Sequence, residues 1–153
     1  MTFTDRLQSL GLEILPPPSP IGNFRNFVRV GSLVFLSGQG PREADGRLHT
    51  GKVGAEVSVE DAYQHARLTG LNLLSVLAEA ANGLDNVRQV VKLLGLVNAS
   101  GDFTDHPAVI NGCSDLFVSI FGDAGHHARS AIGVGSLPNN ISVEIEAIFE
   151  LNA

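Results

Sequence analysis

Apolar and polar positions along this chain fall into two periods, and the switches between them mark out the elements. The run FVRVGSLVFLSGQGP, from Phe27, gives two short apolar stretches on either side of Gly31-Ser32, which predicts two strands joined by a tight turn. From Val59 the period lengthens. Val59, Ala62, Tyr63, Ala66, Leu73, Leu74, Leu77 and Ala81 recur at roughly 3.6 residues, the mark of a long amphipathic helix. Ser58 with Asp61 makes a loose capping box at its start, and Asn82-Gly83 ends it. The stretch NVRQVVKLLGLVNA (86–99) is too apolar to lie open to water and predicts a central strand. Asp105-His106-Pro107 then opens a second helix, with proline near its first position. Val109, Cys113, Leu116, Phe117 and Ile120 form its core stripe, and Gly122 stops it. Finally HARSAIGVGSLPNNISVEIEAIFEL (127–151) reads as two strands about a Pro-Asn-Asn turn, a closing hairpin.

Before Phe27 the pattern is weaker. Thr4 to Leu10 fits a short helix capped by Thr4 and stopped by Gly11, and LPPPSP must be extended because successive prolines fix φ and remove donors. Residues 1–20 thus form an N-terminal arm on a single domain, 1–153. Residues 42–57 are polar and glycine-rich, a loop with a short strand near Gly51 to Val53. The element order β-β, α, β, α, β-β predicts an α+β domain: one mixed sheet in two layers, both main helices on one face. In the last strand Val143, Ile145, Ala147, Phe149 and Leu151 point one way, and Glu144, Glu146, Ile148 and Glu150 the other. The second set is half-polar, as expected of a face that meets another subunit.

Composition narrows the function classes. The chain has 10 Lys+Arg against 16 Asp+Glu, a net charge of −6, and no basic stripe, which argues against nucleic acid as a partner. The single cysteine, Cys113, excludes an internal disulfide and points to a reducing, cytoplasmic setting. No apolar run approaches the ~20 residues of a membrane span, and the N-terminus lacks the apolar core of a signal peptide.

Few residues carry chemistry. His49, His65, His106, His126 and His127 show no metal-ligand spacing, and His126-His127 fit a turn before a strand. Cys113 lies on a core stripe, and Ser37 ends a strand with no nucleophile motif around it. Asn111 lies on the outer side of the second helix, open to solvent or to a ligand. Arg129 begins a strand after a Gly- and His-rich loop. It suits either a surface ion pair, for instance with Asp123, or a bidentate clamp on a carboxylate.

Three blocks in order resemble one family. HARSAIGVGSLPNNISVEIEAIFEL resembles the C-terminal signature of the YjgF-type Rid family, the RidA-like reactive-intermediate deaminases. SPIGNFRNFVRVGSLVFLSGQGP is similar to its N-terminal block, and VINGCSDLF takes the place of its asparagine-containing helix start. The resemblance runs from about Ser19 to Leu151. It implies a chorismate-mutase-like fold assembled as a homotrimer, with a cleft between each pair of subunits. It also implies cofactor-free, metal-independent hydrolysis of imines or enamines of amino acids to 2-oxo acids and ammonia.

Carried over by residue, the resemblance makes Arg129 the holder of the substrate carboxylate and Glu144 the carboxylate that positions or activates water. Ser37 and Asn111 become cleft residues. Two positions depart from the pattern: Phe24 stands where the family commonly has tyrosine, and Ala131 where it often has cysteine. The partner implied is a small imino or keto acid. A non-catalytic trimer that binds small carboxylates or a protein partner is the rival reading. Endoribonuclease activity, ascribed to some relatives, fits the acidic charge poorly.

Overall fold

The computed structural model describes every residue, Met1–Ala153. Three helices, α1 (Phe3–Ser9), α2 (Val59–Ala81) and α3 (His106–Phe121), accompany five strands: β1 (Phe27–Val30), β2 (Leu33–Gln39), β3 (Val87–Asn98), β4 (Ala128–Val134) and β5 (Val143–Leu151). The strands form one mixed sheet in the order β1-β2-β5-β3-β4. Only β3 and β4 run parallel, and α3 connects them. The expected α+β, two-layer arrangement is present.

One pairing differs from expectation. The last two strands do not form a hairpin, because β5 lies between β2 and β3 while β4 takes the outer edge. β3 is apolar enough to need partners on both edges, and the connection from β4 to β5 crosses its end to allow it. Asn139 and Asn140 turn that connection with positive φ, 56° and 58°. The Asn98 amide at the end of β3 pins it, donating to Asn140 Oδ1 at 3.0 Å and to the Ile141 carbonyl at 3.1 Å.

The alternation in β5 is as expected: Val143, Ile145, Ala147, Phe149 and Leu151 are buried under the helices. Phe117 of α3 meets Phe149 edge-on at 5.6 Å. No helix packs on the other sheet face. That face exposes Val28, Val30, Phe35 and Ile132, each more than 40% accessible.

α2 and α3 begin and end close to the expected positions. Ser58 accepts from the Asp61 N–H at 3.1 Å, and Asn82 closes α2 in the left-handed conformation. α1 starts earlier than expected. Thr2, not Thr4, is its cap, because Asp5 reaches back to the Thr2 N–H at 3.0 Å and completes a reciprocal box. Thr4 instead donates its hydroxyl to Asp85 at 2.9 Å, and Leu7 is buried in the core. The strand expected near Gly51 to Val53 is reduced to isolated bridges, Thr50 to Ile141 and Val53 to Ala99. Gly51 and Gly54 have positive φ, which breaks the pleat on either side of buried Val53. No helix is long and apolar enough to cross a membrane.

α2 and α3 cross so closely that a Cβ on Gly112 would strike the Tyr63 carbonyl, backbone that has nowhere to go. Gly112→Ala is therefore expected to destabilise the fold by about 1–3 kcal/mol, the usual range for overpacking, read as a fall in Tm by thermal denaturation.

Candidate functional site

Arg129 pairs with Leu93 of β3, and Leu93 is itself buried under the helices, so Arg129 projects into the helical layer from an edge strand. Its Nη1 donates to Asn111 Oδ1 at 2.8 Å and to Ser114 Oγ at 3.1 Å, both on α3. The ion pair considered with Asp123 is not formed: the ion pairs present are His49 with Glu43 and Arg88 with Glu150. Asn111 is half-buried rather than open to solvent, because the guanidinium lies over it.

A cavity of about 520 Å³ opens beside this guanidinium, lined by Ser114, Asp115, Val118, Ser119, His126, His127 and Arg129. His127 lies in the turn before β4, as expected, and both its ring nitrogens are engaged there. Its Nδ1 lies 2.6 Å from the Gly125 carbonyl and its Nε2 lies 2.9 Å from Ser114 Oγ. Ser114 went unread in the sequence. Its one signal is the i, i+3 spacing from Asn111, which places both on one side of α3.

Glu144 occupies the opposite face of the sheet. It pairs with Leu96 of β3, and its carboxylate lies over Gly38 of β2. β2 bulges there: Leu36 pairs with Ala147 and Gln39 with Ile145, so Ser37 and Gly38 together oppose Glu146. A Cβ on Gly38 would come within 2.9 Å of Glu144 Oε2, so the missing side chain makes the room. Burial pushes the Glu144 carboxyl above its ordinary value, and the charge of Glu146 adds to the rise.

The other expected residues lie in the segments flanking these two centres. The Ser37 hydroxyl donates to the Arg25 carbonyl at 2.6 Å, tying the segment before β1 to the bulge. Phe24 is 51% accessible in that same segment. Ala131 pairs with Gly95 on the helical side, one pleat beyond Arg129. Cys113 is buried, and burial raises its thiol far above the reactive range, as its place on the core stripe implied. No three His, Cys, Asp or Glu side chains are grouped to hold a metal ion.

Within one chain, Arg129 and Glu144 do not meet. They face opposite sides of the sheet, two strands and three residues apart in register, roughly 14 Å by ordinary strand spacing.

Residues 4–150 match the family described as "YjgF/chorismate mutase-like, putative endoribonuclease". The chain is 40% identical over 147 residues to protein TCP17 of Trypanosoma cruzi, covering 95% of this chain and 92% of that one. It is 32% identical over 132 residues to a 2-iminobutanoate/2-iminopropanoate deaminase of Dermatophagoides farinae, covering 86% and 88%. The crystal structure of a "putative endoribonuclease" from Shewanella oneidensis superposes with a TM-score of 0.94 at 33% identity, covering 99% of this chain and 100% of the other.

The raised Glu144 carboxyl has a consequence for stability. The folded chain holds this proton to a higher pH than the unfolded chain, whose ordinary value is 4.5, so stability is lost as pH climbs through the raised value. Glu144→Gln removes the titration. Its Tm is expected to rise relative to wild type between about pH 4 and pH 8, a trend that melts across that range would check.

Proposed function

The chain belongs to the YjgF family, and from that membership we propose that it hydrolyses reactive 2-imino and enamine acids to 2-oxo acids and ammonia. The observation that carries this reading is the Arg129 fork. Two neutral acceptors hold Nη1, no carboxylate cancels the charge, and the Nε and Nη2 donors take no protein acceptor. Such a group is prepared for the carboxylate of a small acid, which the planar fork grips with two parallel bonds.

Glu144 supplies the second half. An imine carbon is already electrophilic, so orientation of water does much of the work. Glu144, with its raised carboxyl, takes a proton from that water as the oxygen bonds to the carbon and the C=N electron pair passes to nitrogen. The proton is returned to nitrogen, the carbinolamine collapses to the 2-oxo acid, and ammonia leaves. No metal or cofactor takes part in this scheme.

Because Arg129 and Glu144 lie on opposite faces of one sheet, the proposal places the substrate between subunits. One chain's Glu144 face meets the next chain's Arg129 edge, in a homotrimer whose contacts cover Val28, Val30, Phe35 and Ile132. Phe24 and Ser37, beside the bulge, and Asn111 and Ala131, beside Arg129, would line the cleft. A net charge of −6 would repel an RNA backbone, which argues against the endoribonuclease activity that the names of some relatives suggest.

The test uses 2-iminopropanoate and 2-iminobutanoate generated enzymatically. Arg129→Ala should weaken pyruvate binding by about 1.5–3 kcal/mol, and Arg129→Lys should restore part of it. Glu144→Gln should keep pyruvate binding and lose ~10²–10⁴-fold in turnover. Wild type that binds pyruvate without hydrolysing either imine would establish the carboxylate-binding module instead. Light scattering should give three chains per particle, and a stable monomer at micromolar concentration would remove the shared cleft.

A further inference from the structure

Ser114 enters the hydrolysis proposed above only as an acceptor for Arg129 and His127 not at all, yet the two form an oriented chain of bonds to the guanidinium. The Gly125 carbonyl only accepts, so the His127 Nδ1 that lies 2.6 Å from it carries the ring proton. In the neutral ring Nε2 is then an acceptor, and the Ser114 hydroxyl, 2.9 Å away, donates to it. That turns a lone pair of Ser114 Oγ towards Arg129 Nη1, which donates to it at 3.1 Å. A backbone carbonyl thereby sets the direction of every bond as far as the guanidinium.

The charged and titratable groups around His127 are Arg129 on β4, His126 beside it in the chain, and Asp115 of α3, which lines the same cavity. The Asp115 carboxylate accepts the Tyr63 hydroxyl at 2.7 Å. Burial holds His127 below its ordinary value, the charges of Arg129 and His126 act in the same direction, and the Gly125 bond opposes them. The ring is neutral near pH 7.

We propose that His127 and Ser114 are positioning residues for the Arg129 clamp, and that the clamp tightens on a carboxylate when His127 gains a proton. The inference rests on Arg129 holding the substrate carboxylate. Protonation turns Nε2 from acceptor to donor. Ser114 Oγ then accepts from both Nε2 and Nη1, and its own hydrogen swings into the cavity as a further donor to the anion. The imidazolium adds a second positive charge beside the guanidinium. A hydroxyl rotation suffices, with no movement of the backbone. By linkage, a bound carboxylate raises the proton affinity of His127 by the same factor.

Histidine NMR titration of the wild-type protein, with and without saturating pyruvate, reads this directly. The His127 resonance is assigned by its absence in His127→Gln. Pyruvate is expected to raise the His127 pKa by about 0.7 unit or more, a fivefold coupling at the low end for linked sites. Pyruvate Kd should tighten by the same factor as pH falls through that transition. The His127→Gln protein should lose this component, Ser114→Thr should keep it, and Ser114→Ala should diminish it. The resonance also separates His127 from Glu144, whose own titration would alter anion affinity without moving the His127 midpoint. Pyruvate binding that needs Arg129 but leaves the His127 pKa unmoved overturns the proposal and leaves the clamp standing. Binding indifferent to Arg129→Ala overturns both.

Discussion

Strand β5 is paired along both edges, and the rest of the molecule depends on that. β2 and β3 each bond to it, so the hairpin β1-β2 and the β3-α3-β4 unit become one sheet only when the last strand lies between them. Its alternation then sets the two faces at once. Val143, Ile145 and Phe149 anchor the helices, while Glu144 and Glu146 are turned to the side the helices leave bare. A one-residue slip would exchange these sets and bury carboxylates, so the register is strongly specified. The position of Glu144 follows from the same pairing that builds the core.

The helices and the faces of β5 were legible in the sequence because both are written in local periods. Ser58 and Asn82 delimit α2 by backbone chemistry that acts within a few residues. Strand neighbours are another matter. Periodicity says which side of a strand is apolar and nothing about which strand lies beside it, so the terminal segment reads as a hairpin although β3 separates its halves. The cap of α1 failed for a smaller reason: Thr2 and Thr4 are both competent caps, and Asp5 decides between them.

At the site, residue types were legible and their contacts were not. Arg129 stands out by its place at a strand start, but its acceptors are eighteen and fifteen residues away on α3. His127 looks like any histidine in a turn until the Gly125 carbonyl fixes its tautomer. Glu144 is one of three glutamates at alternate positions. What sets it apart is the bulge at Ser37-Gly38, which makes a half-buried berth for its carboxylate. Glu150, by contrast, is engaged by Gln89 at 2.6 Å.

On the proposed reading of Arg129 as a carboxylate clamp, its neutral partners suit recognition rather than stability. A carboxylate beside the guanidinium would orient it equally well but would cancel the charge a ligand needs, and displacing that partner would oppose binding. Neutral acceptors avoid this. The Asn111 amide and the Ser114 hydroxyl fix the direction of Nη1 and leave the positive charge intact. A surface ion pair would have contributed little to folding in any case. The cost of the choice falls on α3, which must carry polar groups on the side that meets β4 while Cys113, Leu116 and Phe117 fill the core. An edge strand makes that possible. β4 has β3 on one side only, so a long side chain can leave the sheet near its margin, stay half-solvated and keep two donor edges open.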